Sequence, residues 1–227
     1  AAMGAGPYAS VGMPAGGAGT DAIRLAMIYK PAKLSLAGGA QSDTDPIHNR
    51  PPLAQTFAAA NGERFTVIVN HFKSKGSCPA SGDVNADQGD GQGCWNVLRI
   101  EQAQALRTFV GDIQSATDSD VIVMGDLNAY GREAPVIDLL DSGYVDQISR
   151  FDAAGYSYVF DGESGYLDHA LATPSLSSQI AGAVQWHINA DEPSVIDYNT
   201  EFKPQDLYAP NAYRSSDHDP VVVGINL

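Results

Sequence analysis

The sequence predicts an α/β fold in which packed β-sheets carry helices on their outside. Three observations predict it. Short apolar, β-branched runs recur along the whole chain and read as strands. Only two stretches show helical spacing. No repeat, linker or second domain interrupts the 227 residues, so the chain reads as a single domain over 1–227 with one substantial core.

The elements follow in order. Residues 1–19 are rich in Gly, Ala and Pro, a poor recipe for regular structure. Ile23–Tyr29 reads as a strand followed closely by Pro31, and Ala37–Asn49 as a loop of small and polar residues. Leu53–Phe57 and Arg64–Asn70 are strands with the Asn61-Gly62 turn signal between them. Ile100, Ala103, Leu106, Phe109, Val110 and Ile113 recur at helical spacing, which predicts an amphipathic helix over 96–113. Val121–Met124 returns to strand. A short helix covers Ala134–Leu140, with Glu133 near its positive end and Gly143 just past its close. Tyr156–Phe160, Leu167–Ala172, Ala183–Ile188 and Val221–Ile225 are the remaining strands.

Composition narrows the function. The formal net charge is −14, which disfavours a phosphate-rich partner unless a local basic groove, bound divalent cations or high ionic strength compensates. The acidity by itself reads as a solvated surface suited to a salty medium. No stretch approaches the roughly 18–20 consecutive apolar residues of a membrane helix, so no membrane partner is expected. The start, AAMGAGPYAS, has neither a basic region nor a long apolar core and reads as no signal peptide; a mature or trimmed chain would look the same. The two cysteines, Cys78 and Cys94, bracket a polar loop, which suits one disulfide in an oxidising compartment; two unrelated free thiols are the alternative.

Chemistry centres on VIVMGDLNAY, residues 121–130. A buried strand runs into Gly125, and Asp126 and Asn128, two apart in an extended chain, project the same way. One can take or lose a proton or bind a cation; the other hydrogen-bonds without changing charge. Such a pair can hold a water and a phosphate oxygen. Similar stretches follow other strands: NHFKSK at 70–75, YLDHAL at 166–171 and SSDHDP at 215–220. The acidic loop offers Asp83, Asn85, Asp87 and Asp90 as hard oxygen ligands for Ca²⁺, although Gln88 and Cys94 stand where an EF-hand loop wants Gly and the bidentate Glu.

Taken together, NHFKSK, GDLNAY, YLDHAL and SSDHDP resemble the endonuclease/exonuclease/phosphatase family, the DNase I-like fold. GTDAIRLAMIYKP, NRPPLAQTF, DGQGCWN and WHINADEP resemble its secreted bacterial extracellular nucleases, and the likeness runs from about Tyr8 to the C-terminus. The resemblance implies a four-layered sandwich of two mixed sheets flanked by helices. It also implies roles: Asp126 and Asn128 orient and activate a water; His218, paired with Asp168, acts at the phosphate or the water; Asp217 helps to hold a divalent cation, Mg²⁺ or Mn²⁺, with Asp126 and Asn128. His71 matches a second histidine at the phosphate, a candidate general acid. Asn70, Lys73, Lys75 and Arg50 are expected near phosphate.

Other residues keep blander readings. His48, His169 and His187 are read as structural or exposed, and Asp219 as the turn residue before Pro220. The family's early Asn strand and metal-binding Glu lie upstream of the matching segment, and Glu63, Glu101, Glu133 and Glu163 sit in the wrong motifs to replace that Glu. The sequence therefore predicts a domain without its N-terminal strand, a fragment or a chain completed by a separate polypeptide. The expected function is secreted, divalent-cation-dependent hydrolysis of phosphodiester bonds in extracellular DNA, with RNA as a further substrate. Its rivals are a phosphomonoesterase or phospholipid-cleaving enzyme on the same fold, and an inactive binding or assembly module.

Overall fold

The computed structural model describes residues 7–198 and 207–227. The first six residues of the Gly- and Ala-rich start lie outside that range. Strands are β1 Ala9–Ser10, β2 Ile28–Tyr29, β3 Leu34–Leu36, β4 Gln41–Ser42, β5 Leu53–Ala59, β6 Arg64–His71, β7 Val121–Asp126, β8 Val145–Asp146, β9 Tyr158–Phe160, β10 Glu163–Gly165, β11 Asp168–Ala172, β12 Ile180–Gln185 and β13 Val221–Ile225. Helices are α1 Asn96–Ala116, α2 Ala134–Asp141, α3 Gln147–Phe151 and α4 Pro174–Ser177.

The fold is α/β. A seven-stranded mixed sheet runs β3-β5-β6-β7-β11-β8, with β4 also on β5, and two-stranded pairs β1–β2, β9–β10 and β12–β13 surround it. Among the described strands only β6 and β7 pair in parallel, because α1 crosses over between them. One face of the sheet packs Ile68, Val123 and Leu171 against Leu106 and Val110 of α1 and Leu139 of α2. The other packs Phe65, Ile122 and Ala170 against Ile180 of β12 and Val223 of β13. Both faces are buried, so the central strands read as continuous apolar runs.

Departures from the sequence reading have local causes. The expected strand over 23–29 shrinks to Ile28–Tyr29, because its neighbour supplies only Ala9 and Ser10 as ladder partners. The strand expected over 183–188 sits at 180–185; beyond Trp186 the amides of Ile188, Asn189 and Ala190 donate to Asp219 Oδ1 instead of a ladder. The loop expected over 37–49 contains β4. Glu133 is the N-cap residue of α2, but its side chain does not cap; it turns to Lys75.

Cys78 and Cys94 form the expected disulfide, with Cα atoms 5.4 Å apart. The loop it closes is fastened by Arg99, fully buried on α1, which donates to the carbonyls of Lys73, Cys94 and Gln92. Asn85 Oδ1 accepts from the Leu98 amide at 2.9 Å and so caps the first turn of α1 from a distance.

At Gly125 the chain has φ of 127°, and a Cβ there would lie 2.1 Å from the Asn70 carbonyl oxygen. Strand β7 can approach β6 this closely only with glycine. Gly125→Ala is expected to cost roughly 3 kcal/mol, about 6–12 °C in Tm. Thermal denaturation of the folded variant checks this, and an unchanged Tm would refute it.

Candidate active site

Strand register builds the site. At the ends of β6 and β7 His71 stands opposite Asp126, and at the start of antiparallel β11 Asp168 stands opposite the same Asp126. The three side chains form one row at one sheet edge. By the two-residue period they share the face of Val69, Met124 and Ala170, the face that packs toward β13. The turn before β13 delivers the fourth member: His218 Nδ1 lies 2.6 Å from Asp168 Oδ2.

Asn128 completes the cluster. Its φ of 48° is left-handed, a conformation Asn tolerates. That turn lets its backbone N–H donate to Asp126 Oδ1 at 2.7 Å and its side-chain amide to Asp126 Oδ2 at 3.0 Å and the Phe72 carbonyl at 3.1 Å. Ser157 Oγ donates to Asp168 Oδ2 at 2.7 Å and accepts the Leu167 and Asp168 amides.

Electrostatics separate the titrating groups. Burial pushes Asp126 up to about 6, with Asp168 and Asp217 adding repulsion and His218 opposing. Burial alone would lower His218; the hydrogen bond and charge of Asp168, with Asp126 and Asp217 behind, outweigh it and raise His218 to about 9. His71 goes the other way, to about 4, through burial and the nearby Arg50 and His218 charges. Arg50 Nη1 lies 2.8 Å from both ring nitrogens of His71; a neutral imidazole accepts through one of them, whichever carries no proton. In this state His71 is a hydrogen-bond partner of Arg50.

Two clefts open from the row. A basic pocket of about 200 Å³ lies on the His71 side, lined by Arg50, Lys73, Asn49 and Asp21. A groove of about 850 Å³ lies on the Asn128 and His218 side, lined by Tyr130, Tyr158, Phe160 and Lys75. Lys73 Nζ stands 4.8 Å over the Trp95 ring. Lys75 pairs with buried Glu133 and lies over Tyr130. Asp217 is exposed beside His218 and close enough to bear on Asp126.

Some expected site residues are elsewhere. Asn70 is 2% exposed and donates to the Ile68 carbonyl at 3.3 Å, so it faces the sheet rather than a phosphate. The expected calcium set does not converge. Asp83, Asp87 and Asp90 each accept a nearby backbone amide, from Asn85, Gly89 and Gln92, and Asn85 serves α1. Among the described residues no three His, Cys, Asp or Glu side chains group as a metal site. Missed by the sequence reading were Ser157 and Tyr158, whose ring lies 4.7 Å from His218; alternation along SYVF was the available signal.

The arrangement can hold a phosphate between an imidazolium and an acid–amide pair. Comparison then decides the lineage. The model of the Endonuclease/Exonuclease/phosphatase family matches residues 2–218. The chain belongs to that family. Members of that family are metal-dependent phosphodiesterases, phosphatases and nucleases. Solved structures with the same fold include Bacteroides thetaiotaomicron mannosyl-6-phosphatase (16% identity, 97% of this chain and 78% of that one, TM-score 0.63). A Neisseria 3′ phosphatase bound to product DNA hairpin matches at 16% identity over 97% of this chain and 80% of that one, TM-score 0.56. D. rerio TDP2 complexed with single strand DNA product matches at 14% identity over 94% and 74%, TM-score 0.52. No curated protein matches the sequence.

The raised His218 makes stability depend on pH. Its folded value, about 9, lies above the unfolded one near 6.5, so the Asp168 pair stabilises fully below about pH 6.5 and is lost as pH rises through about 9. Asp168→Asn is expected to flatten Tm between pH 7 and 10. It should also lower the imidazole titration seen by NMR, since only the more distant Asp126 and Asp217 charges then oppose burial. A His218 titration unmoved by the substitution would refute the pairing.

Proposed function

We propose that this chain is a secreted nuclease that hydrolyses phosphodiester bonds in extracellular DNA, and RNA as well. The observation that carries the reading is the pair of clefts on either side of the catalytic row. A monoester has one substituent and needs one cleft, whereas a diester inside a polymer needs two. Lys73 and Arg50 on one side suit a flanking phosphate, and the Tyr130, Tyr158 and Phe160 rings on the other suit stacked bases. The disulfide supports an oxidising, extracellular setting. Among the described residues no helix is long and apolar enough to cross a membrane.

In this reading the Asp126 carboxylate is the base. At about 6 it is ionised at neutral pH yet more basic than an ordinary Asp, which suits removing a proton from the attacking water. Asn128 holds that carboxylate and the water in line. The His218 imidazolium donates to an equatorial phosphate oxygen, where negative charge grows, and Asp168 keeps it protonated and aimed. Neutral His71, backed by Arg50, takes a second oxygen.

The donor set fits a divalent cation. Burial first, and then the charges of Asp168 and Asp217, raise Asp126, so a cation beside these carboxylates would relieve their repulsion. Asp126 and Asp217, hard oxygen donors, would hold Mg²⁺ or Mn²⁺ with Asn128 beside them. A bound ion supplies positive charge at a phosphate oxygen.

Asp126→Ala, or Asn128→Gly (which keeps the left-handed backbone), is expected to cut turnover about a hundredfold or more, roughly 3 kcal/mol. Supercoiled-plasmid nicking with added magnesium or manganese measures it. Variants that nick at near-normal rates would remove the pair from the mechanism. A wild-type chain that hydrolyses p-nitrophenyl phosphate but nicks nothing would be a phosphomonoesterase, and one that does neither a binding module.

A further inference from the structure

The catalytic device has a copy beside it. His218 has Nδ1 on the partly buried Asp168 and its ring against Tyr158. His187 has Nδ1 3.0 Å from Oδ2 of buried Asp219, and its ring stacks on Tyr156 at 3.8 Å and 10°. The two devices interlock. Asp219 follows His218 directly. Tyr156 and Tyr158 flank Ser157, whose hydroxyl holds Asp168 and whose carbonyl accepts the Asp219 amide at 2.8 Å.

A purely structural reading accounts for only part of this. Asp219 Oδ1 alone takes the amides of Ile188, Asn189 and Ala190, which suffices to lock that turn. Oδ2 adds nothing to the lock, yet it fixes a histidine whose side chain is 36% exposed. Asp191 in turn holds the Tyr156 hydroxyl at 3.0 Å. The imidazole is therefore clamped in plane and in rotation, and among the described residues its Nε2 makes no hydrogen bond. A clamped donor loses little entropy on binding an anion.

We propose that His187 is a second phosphate-binding histidine, whose Nε2–H takes a non-scissile phosphodiester group of the strand cleaved at His218. In its protonated form the ring gives a charge-assisted bond to a phosphate oxygen, and Asp219 balances the charge from behind. The inference rests on the nucleic-acid reading above. It adds a binding subsite on the Tyr156 side, away from the Arg50 pocket and outside the residues assigned to catalysis.

Asparagine at 187 separates the two roles. Its side-chain amide reproduces the Nδ1–H donor to Asp219 but offers nothing at the Nε2 position. The full chain and its His187→Asn variant are titrated, by fluorescence anisotropy across a range of salt, with a labelled single-stranded phosphorothioate oligonucleotide and with a dinucleotide that carries one phosphate. The affinity ratio of oligonucleotide to dinucleotide is expected to fall about tenfold, as for one charged hydrogen bond. The slope of log affinity against log salt should become shallower by about 0.7, one phosphate's share on a single strand. An unchanged ratio and slope would overturn the inference and leave the nuclease reading standing. Equal losses on both ligands would overturn it too, by making His187 a support of the active site. A wild-type chain that binds neither ligand would refute the nucleic-acid reading and this inference with it. Should His187→Asn fail to fold, His187→Gln, a neutral donor, decides in the same titration: a salt slope shallower by about 0.7 supports the charged contact, and an unchanged ratio and slope with a normal Tm overturn it.

Discussion

The register of β7 and β11 places Asp126 and Asp168 side by side at a half-buried sheet edge. Like charges directly opposite on paired strands repel, and desolvation adds to the cost. The protein meets that cost with a cation and with donors. His218 sits on Asp168, Ser157 donates to the same oxygen, and Asn128 donates twice to Asp126. Burial first, and the remaining repulsion after it, leave a carboxyl near 6, while attraction to the carboxylates holds the imidazole near 9. Two neighbouring groups pushed apart in this way are in different protonation states at neutral pH, which is how a base and a cationic donor share one small site.

The backbone keeps this crowded arrangement from relaxing. Gly125 lets β7 close on the Asn70 carbonyl, and the next residues turn through the left-handed Asn128. That turn is pinned from both neighbouring strands. Phe72, just past β6, accepts the Asn128 amide, and buried His169 on β11 bonds the Ala129 carbonyl at 2.8 Å. The acid–amide pair therefore moves with the sheet rather than with a loop, and rigid support of this kind holds reacting groups within the narrow tolerance catalysis needs. The groove wall differs: it is a glycine-rich loop held by one disulfide and buried Arg99.

Long central strands and α1 were legible because each buries a face large enough to leave a period in the sequence. Two-residue strands such as β1, β4 and β8 leave none. The slip of β12 shows where periodicity misleads: Ile188 extends the apolar pattern, but a distant carboxylate, Asp219, takes the amides a ladder would need. The site divides the same way. GDLN, LDH and SDH marked Asp126, Asn128, Asp168 and His218, but their meeting depends on register, which no single motif contains. Asn70 was misplaced although parity was readable, since it shares the face of buried Ile68. Asp219 looked like a turn residue because turns commonly carry Asp before Pro, and its partners lie far away in sequence.

The acidity of the chain gives the arrangement its final constraint. With a formal charge of −14, the surface offers little general attraction to a polyanion, so affinity must come from local contacts. Yet the nearby cations are already engaged: Arg50 with His71 and Asp21, Lys75 with Glu133, and Lys73 over Trp95. A phosphate that enters must replace those partners rather than add to a bare field of charge. Each replacement is favourable only where the phosphate oxygen reaches the donor at hydrogen-bond distance, because an unfilled cation returns to its carboxylate or ring. Such a surface discriminates by geometry at the site itself, and it gains less from long-range steering than a basic protein does. It also loses less when salt screens that steering, since what remains is short-range and partly buried.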